Sequence, residues 1–251
     1  FYSGIFEPTG KKFALTGLSS PFNGLTYKDL APEDKRRLDD SIIHATIIRQ
    51  DYPDDGNSSI YFVFERLNTG GTQLQPQEIR SALFHGEFYD LIHELNDNGD
   101  WRSLFGPVHS RRRDQELILR FLALYFDADT YKKPMMGYLN TFMGRNRHLQ
   151  RYSSEDITQV FEHTVSAINR SIGSKAFKPK RSLNAAILDS VMVGVATNLH
   201  QALPSRSLLL ERYQHLVSNP DYQRVTETAT TDEENVRRRL SLAIETFNIE
   251  R

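Results

Sequence analysis

Leu183-Asn184-Ala185-Ala186-Ile187-Leu188-Asp189-Ser190-Val191-Met192-Val193-Gly194-Val195-Ala196-Thr197-Asn198-Leu199 is the stretch that decides the fold. Apolar side chains occur on nearly every side of a 3.6-residue period, and the run continues to Leu203. Such a helix has no solvent face and belongs in the middle of a bundle. Amphipathic segments surround it in sequence. Leu117, Ile118, Phe121, Leu122 and Tyr125 form one stripe, and Ile157, Val160, Phe161, Val165, Ile168 and Ile172 form another. Between them lies a methionine- and aromatic-rich segment, Met135 to Met143. A final helix is expected to open on a capping box, Thr231-Asp232-Glu233-Glu234, with Val236, Leu240, Ala243, Ile244 and Phe247 inward.

Upstream the period is less regular. Helices are expected near 88–95, after Pro76 and around Ile60, Val63, Phe64 and Leu67, the last stopped by Gly70-Gly71. The isoleucine-rich run Ile42 to Ile48 reads as a buried strand, closed by the turn Asp51-Tyr52-Pro53-Asp54-Asp55-Gly56. The expected fold is α+β and mainly α: a mixed part over 1–72 and a helical part over 73–251.

The chain has 251 residues, 25% of them charged, and no cysteine, which excludes disulfides, thiolate metal sites and cysteine nucleophiles. No run approaches the roughly 18 apolar residues of a membrane span and no secretory signal is seen, so a soluble, cytoplasmic protein is expected. Phe1 in place of methionine suggests further sequence upstream. The net charge is -1 but unevenly spread: residues 111–181 carry 14 basic and 7 acidic side chains. Arg111, Arg112, Arg113, Lys175, Lys178, Lys180 and Arg181 form dense spots that could face DNA phosphates, or else a solvated helix face and a basic loop.

Several chemistries lack their residues. Gly10-Lys11-Lys12 fails the spacing of a phosphate-binding loop, and Gly-x-Ser-x-Gly is missing. The eight histidines show no metal-ligand spacing, so no metal site is expected. The segment that stands out is Phe64-Glu65-Arg66-Leu67-Asn68-Thr69-Gly70-Gly71-Thr72, followed by Leu74-Gln75-Pro76-Gln77-Glu78-Ile79-Arg80. With Phe64 and Leu67 inward, Glu65, Arg66 and Asn68 lie off that face, beside two glycines that allow a sharp turn. Arg66 offers a planar fork for phosphate, Asn68 donates and accepts, and Glu65 can hold a water, a base or a metal. A plainer reading is also open: Asn68 to Gly71 as a helix C-cap, with Glu65, Glu78 and Arg80 in surface ion pairs.

These same residues closely resemble the second signature of the GmrSD-type restriction endonuclease N-terminal domain family, a ParB/sulfiredoxin-like group. Glu116-Leu117-Ile118-Leu119-Arg120-Phe121-Leu122-Ala123 is similar to that family's downstream helix, and the segment from Val236 to Phe247 to its ending. The resemblance implies a prokaryotic defence role, in restriction of modified DNA or against phage, with binding and hydrolysis of a nucleoside triphosphate with magnesium. On the matching positions it implies Glu65 and Arg66 in catalysis, and Arg66, Asn68, Thr69, Gly70, Gly71 and Arg80 in nucleotide binding, with Arg80 or Arg120 stabilising phosphate charge. The family's first signature, Asp-Gly-Gln-Gln-Arg, does not occur here and is expected upstream of Phe1. A His-Asn-His nuclease motif is likewise not seen, so DNA cutting is expected from another domain or a partner protein. Homo-oligomerisation is left open. The alternative is a non-catalytic DNA- or protein-interaction module.

Overall fold

The computed structural model describes residues 5–6, 11–17, 21–42, 47, 58–67, 73–179, 182–199 and 205–248. The chain divides into two compact units, Phe1–Arg49 and Gln50–Arg251. The first holds strands β1 (Ile5–Phe6) and β2 (Lys11–Lys12), paired antiparallel with Ile5 opposite Lys12, and helix α1 (Pro32–Asp39). Before α1, Asp29 accepts from both the Thr26 backbone N–H at 2.9 Å and its hydroxyl at 2.6 Å, closing a 3₁₀ turn.

The strand expected over Ile42 to Ile48 is corrected at its described ends: Ile42 is 81% and Ile47 92% exposed, and neither is in a strand. A β-branched run becomes a buried strand only where a sheet receives it, and the only ladder among the described residues is β1–β2. Residues 43–46 and 48, and the turn 51–56, lie outside the described residues.

The second unit is helical: α2 (Ser58–Leu67), α3 (Pro76–Leu83), α4 (Glu87–Leu95), α5 (Gly99–Phe105), α6 (Arg113–Phe126), α7 (Met135–Arg145), α8 (Ser154–Ser171), α9 (Ala185–Asn198), α10 (Arg206–Ser218), α11 (Pro220–Glu227) and α12 (Glu233–Phe247). The division falls between 49 and 50, and within the second unit α2 packs on α3 and α7. The described chain is thus mainly α.

Helix α9 runs through the centre and packs on α6, α8, α11 and α12. Every residue from Ala186 to Ala196 is buried, as its unbroken apolar character predicts. The Asn184 side chain caps it by accepting from the N–H groups of Ala186 at 2.9 Å and Ile187 at 3.2 Å. Gly194 is required at the α9–α12 crossing, where a Cβ would stand 2.8 Å from the Ala243 carbonyl carbon. Asp189 is fully buried on α9, and its carboxylate accepts from Arg120 of α6 at 2.6 Å and Arg239 of α12 at 3.2 Å. One ion cluster thereby joins three helices.

The capping box expected at α12 does not form. Its N-cap is Asp232, which makes no side-chain cap bond; Asp232 and Glu233 instead accept from the Lys133 ammonium and backbone N–H, both at 3.2 Å.

Candidate functional site

The buried face of α2 differs from the one its sequence suggests. Tyr61 is fully buried and Phe64 and Glu65 are half-buried, while Val63 and Leu67 are exposed. Both stripes have helical spacing, but the one that includes Tyr61 meets α3 and α7. The consequence falls on Glu65, which turns to the inward side of the helix, whereas Arg66 stands exposed. Asn68, Thr69, Gly70 and Gly71 lie outside the described residues.

Helix α3 begins with Pro76 at its first position, and Glu78 accepts from the Gln75 backbone N–H at 2.7 Å. Its residue Arg80 is almost wholly buried. The Arg80 Nε donates to Asn140 Oδ1 of α7 at 2.7 Å, and its Nη1 donates to Gln77 Oε1 at 3.1 Å and to Glu116 Oε2 of α6 at 2.9 Å. The ion pair expected at the surface is inside and has a different partner. Arg80 therefore positions α3, α6 and α7 against one another, and its guanidinium faces protein acceptors. Arg120, the other candidate for phosphate charge, is likewise committed to Asp189.

The three consecutive arginines before and at the start of α6 diverge. Arg112 has φ 56°, a left-handed conformation uncommon for a non-glycine residue. Arg111 grips the Glu78 carboxylate, its Nε at 3.0 Å and Nη2 at 2.8 Å from Oε2, and holds that carboxyl below the usual carboxylate range. Arg112 donates to the Ser81 hydroxyl and to the Tyr89 hydroxyl, the latter at 2.8 Å. Arg113, first residue of α6, is exposed and has no hydrogen-bond or ion-pair partner among the described residues. Farther along the expected basic surface, Lys178 donates to the carbonyl oxygens that end α5, at 3.0 Å to Phe105, while Lys175 is exposed. Lys180 and Arg181 lie outside the described residues. Arg111 and Arg113 are thus brought to one place, and Arg112, Lys175 and Lys178 to others.

That place is a cleft of about 450 Å³ lined by Gln75, Gln77, His109, Arg111, Arg113 and Glu116. A second cleft of similar size, about 460 Å³, lies by Lys132, Lys133 and Arg145, away from the motif residues. The first joins α3 to the start of α6, and its lining includes a feature that no spacing pattern reveals. Gln77 is 1% exposed and its Nε2 has no acceptor. The Tyr61 hydroxyl, in the field of Arg80, Glu65 and Glu116, is also without a partner; burial pushes it up to about 12. Enclosed donors without acceptors are rare in folded proteins and mark places where water, an ion or a ligand completes the bonding.

Among the described residues no group of three potential metal-ligating side chains occurs, and no helix is long and apolar enough to cross a membrane. Compared with known protein families, with curated proteins and with solved structures, the chain matches none. The resemblance of the 64–80 segment to the GmrSD-type family rests on the quoted residues alone.

Proposed function

We propose that this chain is a nucleotide-binding domain of a prokaryotic DNA-restriction or anti-phage defence protein of the GmrSD type, with a ParB/sulfiredoxin-like part. Its ligand is a nucleoside triphosphate with magnesium, and cutting of DNA falls to a nuclease domain or partner. The observation that carries the reading is that both described parts of the family-like segment meet at one polar junction. Helix α2 packs on α3, the Tyr61 hydroxyl lies in the field of Glu65 and Arg80, and the cleft opens at Gln75 and Gln77.

The residues fit such a ligand. Arginine forks suit phosphate oxygens, and magnesium held by phosphates adds one or two carboxylates, for which Glu65 and Glu116 are the groups at hand. Arg66, exposed on the last turn of α2, is the motif's surface cation, while Arg80 supports the site from within. A DNA-docking surface over 111–181 is the weaker reading, because Arg111, Arg112 and Lys178 bond inside the fold.

Nucleoside triphosphate hydrolysis by the full-length protein, with Arg66→Ala and Glu65→Gln beside the natural protein, tests the proposal. Turnover is expected to fall at least about tenfold in each, the loss of one charge-assisted contact. Unchanged turnover in folded variants removes both residues from the site.

A further inference from the structure

The cleft at the start of α6 has donors in excess. Arg80 and Glu116 offset one another, as do Arg111 and Glu78, at 2.9 and 2.8 Å. Arg113 remains as a cation with no carboxylate partner among the described residues, on the cleft wall. His109 Nδ1 accepts from the Arg111 backbone N–H at 3.2 Å, so neutral His109 carries its proton on Nε2 and presents a donor there. The Gln77 amide has a fixed orientation. Its oxygen must face Arg80 Nη1, because the reverse orientation would set N–H against N–H, and this leaves Nε2 as a buried donor lacking an acceptor. Glu116, the carboxylate on the wall, already accepts from Arg80.

We infer that this cleft is a phosphoryl seat, taking the phosphate end of a nucleotide, with Gln77 Nε2, Arg113 and His109 Nε2 as its donors. All three residues line the one cleft, and an anion with several acceptor oxygens offers an acceptor to each. A guanidinium and an amide bind such a group in complementary directions, the first by its planar fork and the second by a single N–H. None of these three residues belongs to the set that the motif alone marks as nucleotide-binding. Arg80 becomes a positioning residue, since it orients Gln77 by taking the amide oxygen. The seat rests on the nucleotide reading only for the source of its phosphate.

Binding of inorganic pyrophosphate to the full chain, by calorimetry at constant ionic strength, tests the seat. Gln77→Glu keeps an acceptor for Arg80 but replaces the donor with a repelling carboxylate. Arg113→Gln alters an exposed side chain and spares the core. Saturable binding by the natural chain, weakened about tenfold or more in each variant, is expected. No binding, or equal binding by all three proteins, overturns the seat. Nucleoside triphosphate bound equally by all three also overturns it while leaving the nucleotide reading standing. Pyrophosphate bound with the expected sensitivity, but no nucleoside triphosphate bound, upholds the seat and refutes the nucleotide reading. Nucleoside triphosphate is expected to displace pyrophosphate; displacement by a short DNA duplex alone would overturn the assignment to a nucleotide.

Discussion

Arg80 and Glu116 lie 2.9 Å apart, Nη1 to Oε2, with the arginine side chain 1% and the glutamate 28% exposed. The pair locks α3 to α6 beneath the cleft. Its removal from one side leaves Glu116, Asn140 and Gln77 without their common donor, and breaking a buried pair in this way costs about 3–5 kcal/mol at full burial, less here because Glu116 keeps some solvent. Arg80→Met is expected to lower the urea midpoint of unfolding markedly. A midpoint equal to that of the natural chain would show that the three acceptors find other partners.

Asp189 faces two guanidinium groups. Burial lowers the pKa of both; for Arg120 the Asp189 charge and hydrogen bonds more than reverse this, and for Arg239 they do not. Arg239 is therefore the less compensated charge. Asp189→Asn, which strands two buried cations, is expected to destabilise the chain by about 3–5 kcal/mol, and Arg239→Met, which leaves the Arg120–Asp189 pair intact, by clearly less. Equilibrium unfolding of the two variants checks the order, and the reverse order contradicts this account.

Gly194→Ala places a methyl group against the Ala243 backbone, where a Cβ would meet main-chain atoms at 2.8 and 2.9 Å. Neither helix can yield by rotating a side chain. The expected loss is about 1–3 kcal/mol, read as a lower thermal midpoint with helix content unchanged. An unchanged midpoint would show that α12 moves away freely.

Acid is expected to destabilise the fold along a defined course. Glu78 is held below the ordinary carboxylate range by Arg111, and Asp221 by Arg238 and Arg224. Burial pushes Asp114 up, but the His109 N–H, Asn96 and Arg102 more than reverse it, for a net lowering. A carboxyl whose folded pKa is depressed stabilises the native state fully above its unfolded value, about 4, and this contribution fades as pH falls through the folded value. The thermal midpoint should hold from neutral pH to about 5 and fall below about 4. In Arg111→Gln that acid loss should be smaller. A midpoint flat down to about pH 3 would contradict these ion pairs.

The helices of the second unit were legible where periodicity speaks for burial. Helix α9 shows this best, since its unbroken apolar character can be accommodated only at the centre. The exceptions are instructive in the same terms. Asp189 gives no local sign of its role, because its partners Arg120 and Arg239 are 69 and 50 residues away in sequence. In α2 two apolar stripes share one helix, and only contact with α3 and α7 selects Tyr61 over Val63. Arg80 looked like a phosphate ligand because guanidinium chemistry is the same inside and outside a protein, and only packing shows it directed at Asn140, Gln77 and Glu116. The Arg111–Arg113 run reads as one basic patch, but Arg111 bonds Glu78 and Arg112 bonds Tyr89, which leaves Arg113 as its exposed cation. Gln77 carries no signal at all: an orphaned amide hydrogen exists only once the fold has enclosed it.

Equilibrium binding of each of the four ribonucleoside triphosphates, with magnesium, to the full-length protein tests the central claim most directly. Saturable binding of at least one of them, weakened in Arg66→Ala, is the result this account predicts. Absence of binding by all four to a protein shown to be folded would contradict it.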